Sequence, residues 1–355
     1  MVSRPLVLAT TEAAQLEPSL AKAGWEPVSV DDATLILAAA IKSKAVALVV
    51  DANIPNGGGV VAARSLRSST ETKSIGIVVL VRGGNQRREM LAAGADDCIE
   101  CPAEPDSVLA ALEKYRFKAI GDPASALAES LRLAALRASG LMDTPSSKAY
   151  DRVTRLAGIL LGAPIALLSL VDTERQFFKS QTGLGEPWAS KRQAPLSHSF
   201  CKWVVAGRSK VVISDARTHP TLQSNAAIKD MGVIAYAGVP VVASEGQVLG
   251  SLCAIDMKPK TWTAQDLEVL ADLGRITEAV MAHDALQKSP PRRAEDLNRM
   301  AESSGEAIFA STRILRRPSI GLGSEHIHML LEIIDESSQI LFQVNRLTQV
   351  NQALA

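Results

Sequence analysis

Two folded units of different class and a helical tail are predicted. Residues 1–118 read as an α/β unit on a doubly wound, parallel five-stranded sheet, and residues 141–286 as an α+β unit with an antiparallel sheet. A connecting helix spans 119–140, and residues 287–355 form a linker and an α-helical tail. Three observations carry this reading. Apolar runs alternate with helical stretches five times before residue 118, the pattern of a parallel sheet covered on both faces. Between Pro164 and Asp256, short alternating apolar segments separated by turns enclose one helix, His198 to Ala206. From Glu325 to Leu354, apolar residues recur every three or four positions without glycine or proline.

Composition narrows the function. A chain of 355 residues exceeds one ordinary core, and 47% apolar content is enough to bury two. The 38 Lys and Arg balance the 38 Asp and Glu, so there is no general electrostatic attraction to nucleic acid or an anionic membrane. Four cysteines are too few for a disulfide framework and fit a reducing compartment. The opening MVSRPLVLATTEAAQ has no apolar secretory core. The most lipid-like run, Leu156–Leu170, contains Gly158, Gly162 and Pro164 and is shorter than a membrane span. The expectation is a cytoplasmic protein with neither a nucleic-acid nor a membrane partner.

In the first unit the strands are Leu6–Ala9, Pro27–Val30, Val46–Val50, Ile75–Val81 and Asp97–Glu100. Helices follow from Glu12, over Asp32–Ala40, Gly59–Leu66, Gln86–Ala93 and Asp106–Tyr115. Function in such a sheet gathers at the carboxyl ends of the strands. There, ALVVDANIPNGGG resembles the phosphoacceptor segment of the receiver domains of two-component response regulators, and GADDCIECP resembles their fifth strand and the turn after it. The resemblance covers the whole unit and places Asp51 at the phosphorylated aspartate. It also implies groups that this chain replaces. Thr10 and Thr11 stand for an acidic pair, Val81 for a hydroxyl, and Cys101, before Pro102, for a lysine. Magnesium needs several hard oxygen ligands, and Asp51 alone supplies one carboxylate, with Glu12 a substitute within reach. Without metal or lysine, nothing offsets the charge on a transferred phosphoryl group. A degenerate receiver that serves as a docking or dimerisation platform is expected. A response regulator that still uses Asp51 is the alternative.

Cys98 and Cys101 form a C-x-x-C. Redox pairs of this spacing sit at a helix N-terminus, whereas this one closes a strand, and two thiols fall short of the four ligands zinc takes. Two unrelated small apolar residues are expected.

Asp122-Pro123-Ala124-Ser125 is a helix start, and the helix runs on to about Ser139 and stops at Gly140. Its leucine-rich face, from Leu127 to Leu141, suits pairing across a dimer or packing on its own domain. Next, LMDTPSSKAYDRVTRLAGILLGAPIALLSLVD resembles the opening of GAF domains, a cytosolic ligand-sensing fold. The resemblance continues through RQFFKSQTGL, LSHSFCKWVVAG, VVISDAR and GSLCAIDMKPKTWT, and ends with the helix Thr263–Leu286. It implies a small-ligand pocket over the open face of the sheet, under the segment Ser197–Val204 and the loops around Trp188 and Ser214–Lys229. The lining candidates are Phe177, Phe178, Trp188, His198, Cys201, Trp203, Asp215 and Tyr236. For each aromatic the other reading is core or rim packing, and Asp215 also reads as a turn cap.

No ligand is singled out, and no cofactor or metal is expected. The Asn-Lys-x-x-Phe-x-x-x-Asp-Glu signature of nucleotide-binding members is absent. Cys201, three residues after His198, lacks the acidic motif that accompanies a bilin, and one histidine makes a poor case for haem. Some small members of the fold reduce free methionine sulfoxide with paired cysteines. Cys201 begins a helix, which favours its thiolate, but Cys253 is expected to face the core, leaving it no partner.

In the tail, Lys288-Ser-Pro-Pro-Arg-Arg is an extended linker and Ala294–Ile314 is helical. Breaks follow at Arg316-Arg317-Pro318 and Gly321-Leu-Gly. Leu330, Ile333, Ser337, Ile340, Val344, Leu347, Asn351 and Leu354 then make a heptad seam for helix pairing, between chains or back onto Ala294–Ile314. His326 and His328 lack the acidic neighbour of a phosphoacceptor histidine, and no kinase, cyclase or phosphodiesterase pattern follows. The whole reads as a non-catalytic, dimeric sensor or adaptor in bacterial-type signal transduction. It would bind a small ligand and pass the signal to a protein partner such as a histidine kinase or a downstream effector. Phosphorylation at Asp51 is the second reading, and sulfoxide reduction at Cys201 the third.

Overall fold

The computed structural model describes residues 5–354 except 114, 116, 118, 119, 121, 220, 289–293 and 318–321. The expected linker from Ser289 to Arg293 and the breaks at Pro318 and Gly321 thus lie outside the described residues. The chain divides into two compact units, Met1–Gly121 and Asp122–Ala355.

In the first unit β1 (Pro5–Ala9), β2 (Glu26–Ser29), β3 (Ala47–Asp51), β4 (Gly76–Val81) and β5 (Asp97–Glu100) form one parallel sheet in the order β2-β1-β3-β4-β5. This is the receiver-like, doubly wound arrangement. Successive residues face opposite sides and both sides are covered, so the inner strands are apolar apart from Asp51 at the end of β3. Leu6, Leu8, Val49, Val78 and Leu80 face α1 (Ala13–Lys22) and α5 (Pro105–Glu113) through Leu16, Leu20, Val108 and Leu112. Val7, Val50, Val79 and Val81 face α2 (Ile36–Ser43), α3 (Gly58–Ser68) and α4 (Gly84–Ala92) through Ile36, Ala62, Leu66 and Met90. The second helix starts later than the spacing predicts. Asp32 accepts from the Thr34 N–H at 2.7 Å and holds a tight 3₁₀ turn, Ala33–Leu35, ahead of α2.

In the second unit six strands make an antiparallel sheet in the order β8-β7-β6-β11-β10-β9. They are β6 (Ile165–Val171), β7 (Arg175–Thr182), β8 (Gln193–Pro195), β9 (Val211–Ile213), β10 (Ala235–Val242) and β11 (Val248–Asp256). One face, with Leu168, Leu170, Val239, Leu252 and Ala254, packs on α8 (Lys148–Leu160) and α12 (Ala264–Lys288) through Tyr150, Leu156, Leu273 and Ile276. The other face lies against α10 (Cys201–Gly207), and the short helices α9 (Trp188–Lys191) and α11 (Ala226–Asp230) precede and follow it in the chain.

The connecting segment is two helices, α6 (Pro123–Leu127) and α7 (Ser130–Ser139), rather than one. Glu129 is extended, and Arg132 turns inward to donate to Leu127 O at 2.5 Å and Val171 O at 2.7 Å. Leu127, Leu136 and Leu141 are buried in their own unit, whereas Leu131 is exposed. The helix expected over His198–Ala206 is likewise divided. Leu196–His198 is a 3₁₀ turn, and the Ser199 hydroxyl then accepts from the Lys202 N–H at 3.0 Å and starts α10.

The tail forms α13 (Ala294–Leu315) and α14 (Ser324–Leu354). Leu330 and Ile333 join Ala307, Ala310, Ile314 and the α12 residues in one core, and Ile340 and Val344 pack with Met300. The described part of the seam is therefore covered by the chain's own helices. The side chains of Leu347, Asn351 and Leu354 lie outside the described residues.

Candidate functional site

In the first unit the site is the carboxyl edge of the sheet. Asp51 ends β3 and is 2% exposed. Its Oδ1 accepts from the Asn53 N–H at 2.8 Å and from Arg82 Nη1 at 2.9 Å, and its Oδ2 accepts from Arg82 Nη2 at 3.0 Å. Arg82 is the first residue after β4. Its own N–H donates to Gln86 Oε1 at 2.7 Å, and Gln86 Nε2 donates to Asn53 Oδ1 at 2.9 Å. The guanidinium is thus held at both ends, and bonding to Asp51 raises its already high pKa.

The other receiver positions do not converge on Asp51 as metal ligands. Thr10 Oγ1 accepts from the Glu12 N–H at 3.1 Å, and Thr11 is exposed. Val81 is fully buried among the helices on its face. Glu12 turns to the loop after β5, where its Oε2 accepts from the Ala103 N–H at 2.9 Å and the carboxylate also takes the Cys101 thiol. Burial, then Glu12, pushes Cys101 up to about 11, and burial raises Cys98. Neither thiol of the C-x-x-C is activated. Among the described residues no three carboxylate, imidazole or thiol groups are placed to hold a metal ion.

In the second unit the candidates fall into separate groups. Beneath α10, Tyr236 Oη donates to Cys201 Sγ at 3.4 Å and shares a hydrogen bond with Ser251 Oγ at 3.2 Å. Its ring stacks on Phe200, with centroids 5.3 Å apart. Gly238 makes room for that hydroxyl, because a Cβ there would lie 2.2 Å from it. Phe178 stands opposite Ser169 on β6, and Phe178, Cys201, Tyr236 and Cys253 are all buried, so these side chains fill the face.

The structure corrects the expectation that Cys201 has no partner. Leu252 and Ala254 point into the helix-side core, so Cys253 points the other way and its Sγ lies 4.0 Å from Cys201 Sγ. Cys201 is the more acidic thiol. The hydrogen bonds from Cys253 and Tyr236 lower its pKa against the effect of burial, while burial pushes Cys253 up.

Trp188 and His198 meet elsewhere, at the rim. Their ring centroids are 5.0 Å apart, His198 Nε2 is 3.0 Å from Asp230 Oδ2, and Trp188 Nε1 donates to Asp230 O at 3.4 Å. Phe177 lies under the Arg192 guanidinium, and Trp203 lies near Lys202 Nζ. Asp215 accepts from the Arg217 N–H at 3.0 Å and from its guanidinium at 2.9 and 2.7 Å, which makes it a turn cap closed on its own neighbour.

The fold around these groups, a six-stranded antiparallel sheet between α8 with α12 and α10, covers the residues that match the GAF domain family, 146–280. Residues 146–280 form a GAF domain. The cyclic di-GMP phosphodiesterase PA2567 of Pseudomonas aeruginosa is 31% identical over 142 residues, 39% of this chain. The chain spans 23% of that relative's length. The chemotaxis response regulator CheY4 of Vibrio cholerae is 23% identical, with 32% of this chain and 99% of that one covered and a TM-score of 0.30. The receiver domain of the sensor histidine kinase PA1611 of Pseudomonas aeruginosa is 19% identical, with 32% and 97% covered and a TM-score of 0.30.

Two groups escape the sequence reading. Arg82 opens a polar turn, VRGGNQRR, that looks solvated. Its signal is its place, because one residue past β4 is the same sheet edge that carries Asp51. Cys253 is legible only once the alternation of β11 is phased, which the buried pair Leu252 and Ala254 does.

Proposed function

We propose that the chain is a non-catalytic signalling adaptor, with a pseudo-receiver joined to a GAF domain that senses a small ligand and a helical tail that presents the result to a protein partner. The observation that carries this is the bidentate Arg82–Asp51 pair. Phosphoryl transfer needs a free carboxylate oxygen and a cation that bridges it to the donor. Here both oxygens are taken by a guanidinium that already neutralises the charge, and Val81 and Cys101 replace the groups that would read or stabilise a phosphate. The similarity to a cyclic di-GMP phosphodiesterase supports a setting in bacterial signalling. The partner in this reading is a histidine kinase or a downstream effector, with a homodimer as the working form. Because the seam of α14 is spent inside the chain, the outer side of that helix, with Leu331 50% and Phe342 71% exposed, is the surface left for either. The test is incubation with acetyl phosphate and magnesium, followed by intact mass measurement. No phosphate adduct is expected, and an adduct abolished by Asp51→Asn would replace this reading with that of a phosphorylated response regulator.

The 4.0 Å approach of Cys201 and Cys253 favours a second reading, thiol-dependent reduction of methionine sulfoxide. Both sulfurs are buried, which keeps substrate from an in-line approach. The adaptor reading expects no turnover with dithiothreitol as reductant. Turnover lost in Cys201→Ser would establish the enzyme instead.

A further inference from the structure

The seam of α14 carries one polar residue among its described positions, Ser337, where an apolar side chain would pack better. The structure shows what the small side chain leaves behind. Between α8, α12 and α14 lies a cavity of about 350 Å³, remote from the sheet face under α10. Its walls are apolar on Ala279, Val280, Ile333 and Ile340. Its polar lining is His283, Asp284, Glu336, Ser337 and Gln339, of which Glu336 is held by Arg152 and Gln339 donates to Asp335 at 2.9 Å.

Ser337 is 4% exposed, and among the described residues no hydrogen bond is made by its hydroxyl. A hydroxyl that opens on the cavity without a protein partner is available to a bound group. Asp284 takes the Tyr150 hydroxyl on Oδ2 at 2.8 Å, and among the described residues its Oδ1 has no partner. Arg152, two positions after Tyr150 on α8, is committed to Glu332 at 2.8 Å and to Glu336 rather than to Asp284. The cavity therefore combines an apolar wall, an uncommitted carboxylate oxygen and an unpaired hydroxyl.

We infer that this cavity is a second ligand site, selective for an organic ammonium ion with a compact apolar body. The ammonium donates to Asp284 Oδ1 and Ser337 Oγ, and the body lies along Ile333, Ile340 and Val280. Bound there, the ligand bridges the GAF helices α8 and α12 to α14, so its occupancy bears on how firmly the tail is held. The inference is independent of whether the face under α10 binds anything.

Two probes of matched shape test it on the full chain: benzylammonium and neutral benzyl alcohol, titrated by calorimetry. Benzylammonium should bind about tenfold or more tightly than benzyl alcohol. Asp284→Asn should bring the two together. Ser337→Leu should abolish binding of both while the unfolding midpoint stays level or rises, because leucine continues the seam and occupies the cavity. No binding of benzylammonium to the unsubstituted chain, equal binding of the two probes, or undiminished binding in Ser337→Leu would each overturn the assignment.

Discussion

Arg82 grips Asp51 through both of its terminal nitrogens, at 2.9 and 3.0 Å, at the carboxyl edge of the parallel sheet. The pair is lopsided. The carboxylate is buried, whereas the guanidinium side chain is 45% exposed. Removing the arginine therefore strands a buried charge, while removing the carboxylate leaves a cation that water can take over.

That asymmetry gives a stability prediction. Arg82→Ala leaves the Asn53 N–H as the remaining donor to Asp51 and should cost about 1–3 kcal/mol, discounted for the exposure of the arginine. Asp51→Asn keeps an acceptor for Asn53 and should cost about half as much or less. Urea unfolding of the two variants decides. A larger loss in Asp51→Asn would mean that the pair does not set the stability of this edge.

Burial of Glu278 on α12 predicts a pH dependence. Desolvation raises its pKa to about 7, only partly countered by the Val242 N–H, which donates to it at 2.9 Å. A carboxyl whose folded pKa lies above its unfolded value favours the fold while it is protonated. This contribution is present below the ordinary glutamate value of 4.5 and is lost as pH rises through about 7. Glu278→Gln keeps the acceptor oxygen and removes the titration. It should match the unsubstituted protein near the bottom of that window and exceed it above the top by about 2 kcal/mol. A stability difference that does not vary with pH would show that Glu278 is not the titrating group.

Tyr236 and Gly238 should act as one unit. Gly238→Ala drives a methyl group onto the tyrosine hydroxyl, 2.2 Å away, and must displace it from Cys201 and Ser251, at about 2–4 kcal/mol. Tyr236→Phe removes the oxygen for about 1 kcal/mol by itself. In the double variant part of the Gly238→Ala cost should disappear, though not all of it, since the ring carbon beneath the hydroxyl would also be crowded at 2.6 Å. Additive losses in this cycle would show that the two residues do not share the space.

Both folds were legible because each rests on a period. β3 and β4, apart from Asp51 at the end of β3, carry no polar residue and lie between helices on both faces, and the strands of the second unit are short apolar runs set off by turns. The site was less legible because its contacts join positions far apart that carry no period. Arg82 and Asp51 are 31 positions apart, and Cys201 and Cys253 are 52 apart. Arginine in a glycine-rich turn looks like a solvated residue until the sheet closes. The single connecting helix failed for a related reason. Nothing in the leucine spacing announces that Arg132 will turn inward to two carbonyls and break the helix before it.

The tail shows how one pattern can serve two partners. A heptad seam is equally suited to another chain and to a neighbouring helix, and spacing alone does not choose between them. Here Leu330 and Ile333 lie in the same core as Ile276 and Ile314 of their own chain. Leu330→Ala should therefore cost about 2–4 kcal/mol, as for a buried leucine with little room to collapse. Any rise of the unfolding midpoint with protein concentration should come from the outer face and so be the same in the parent chain and in the variant. A midpoint that climbs with concentration, and climbs less in Leu330→Ala, would mean that the seam is completed by a second chain in solution. Phe342→Glu, on the exposed side of the same helix, separates the two kinds of contact. At low protein concentration it should leave the midpoint nearly unchanged, while removing any association that the outer face supports and with it the rise of the midpoint with concentration.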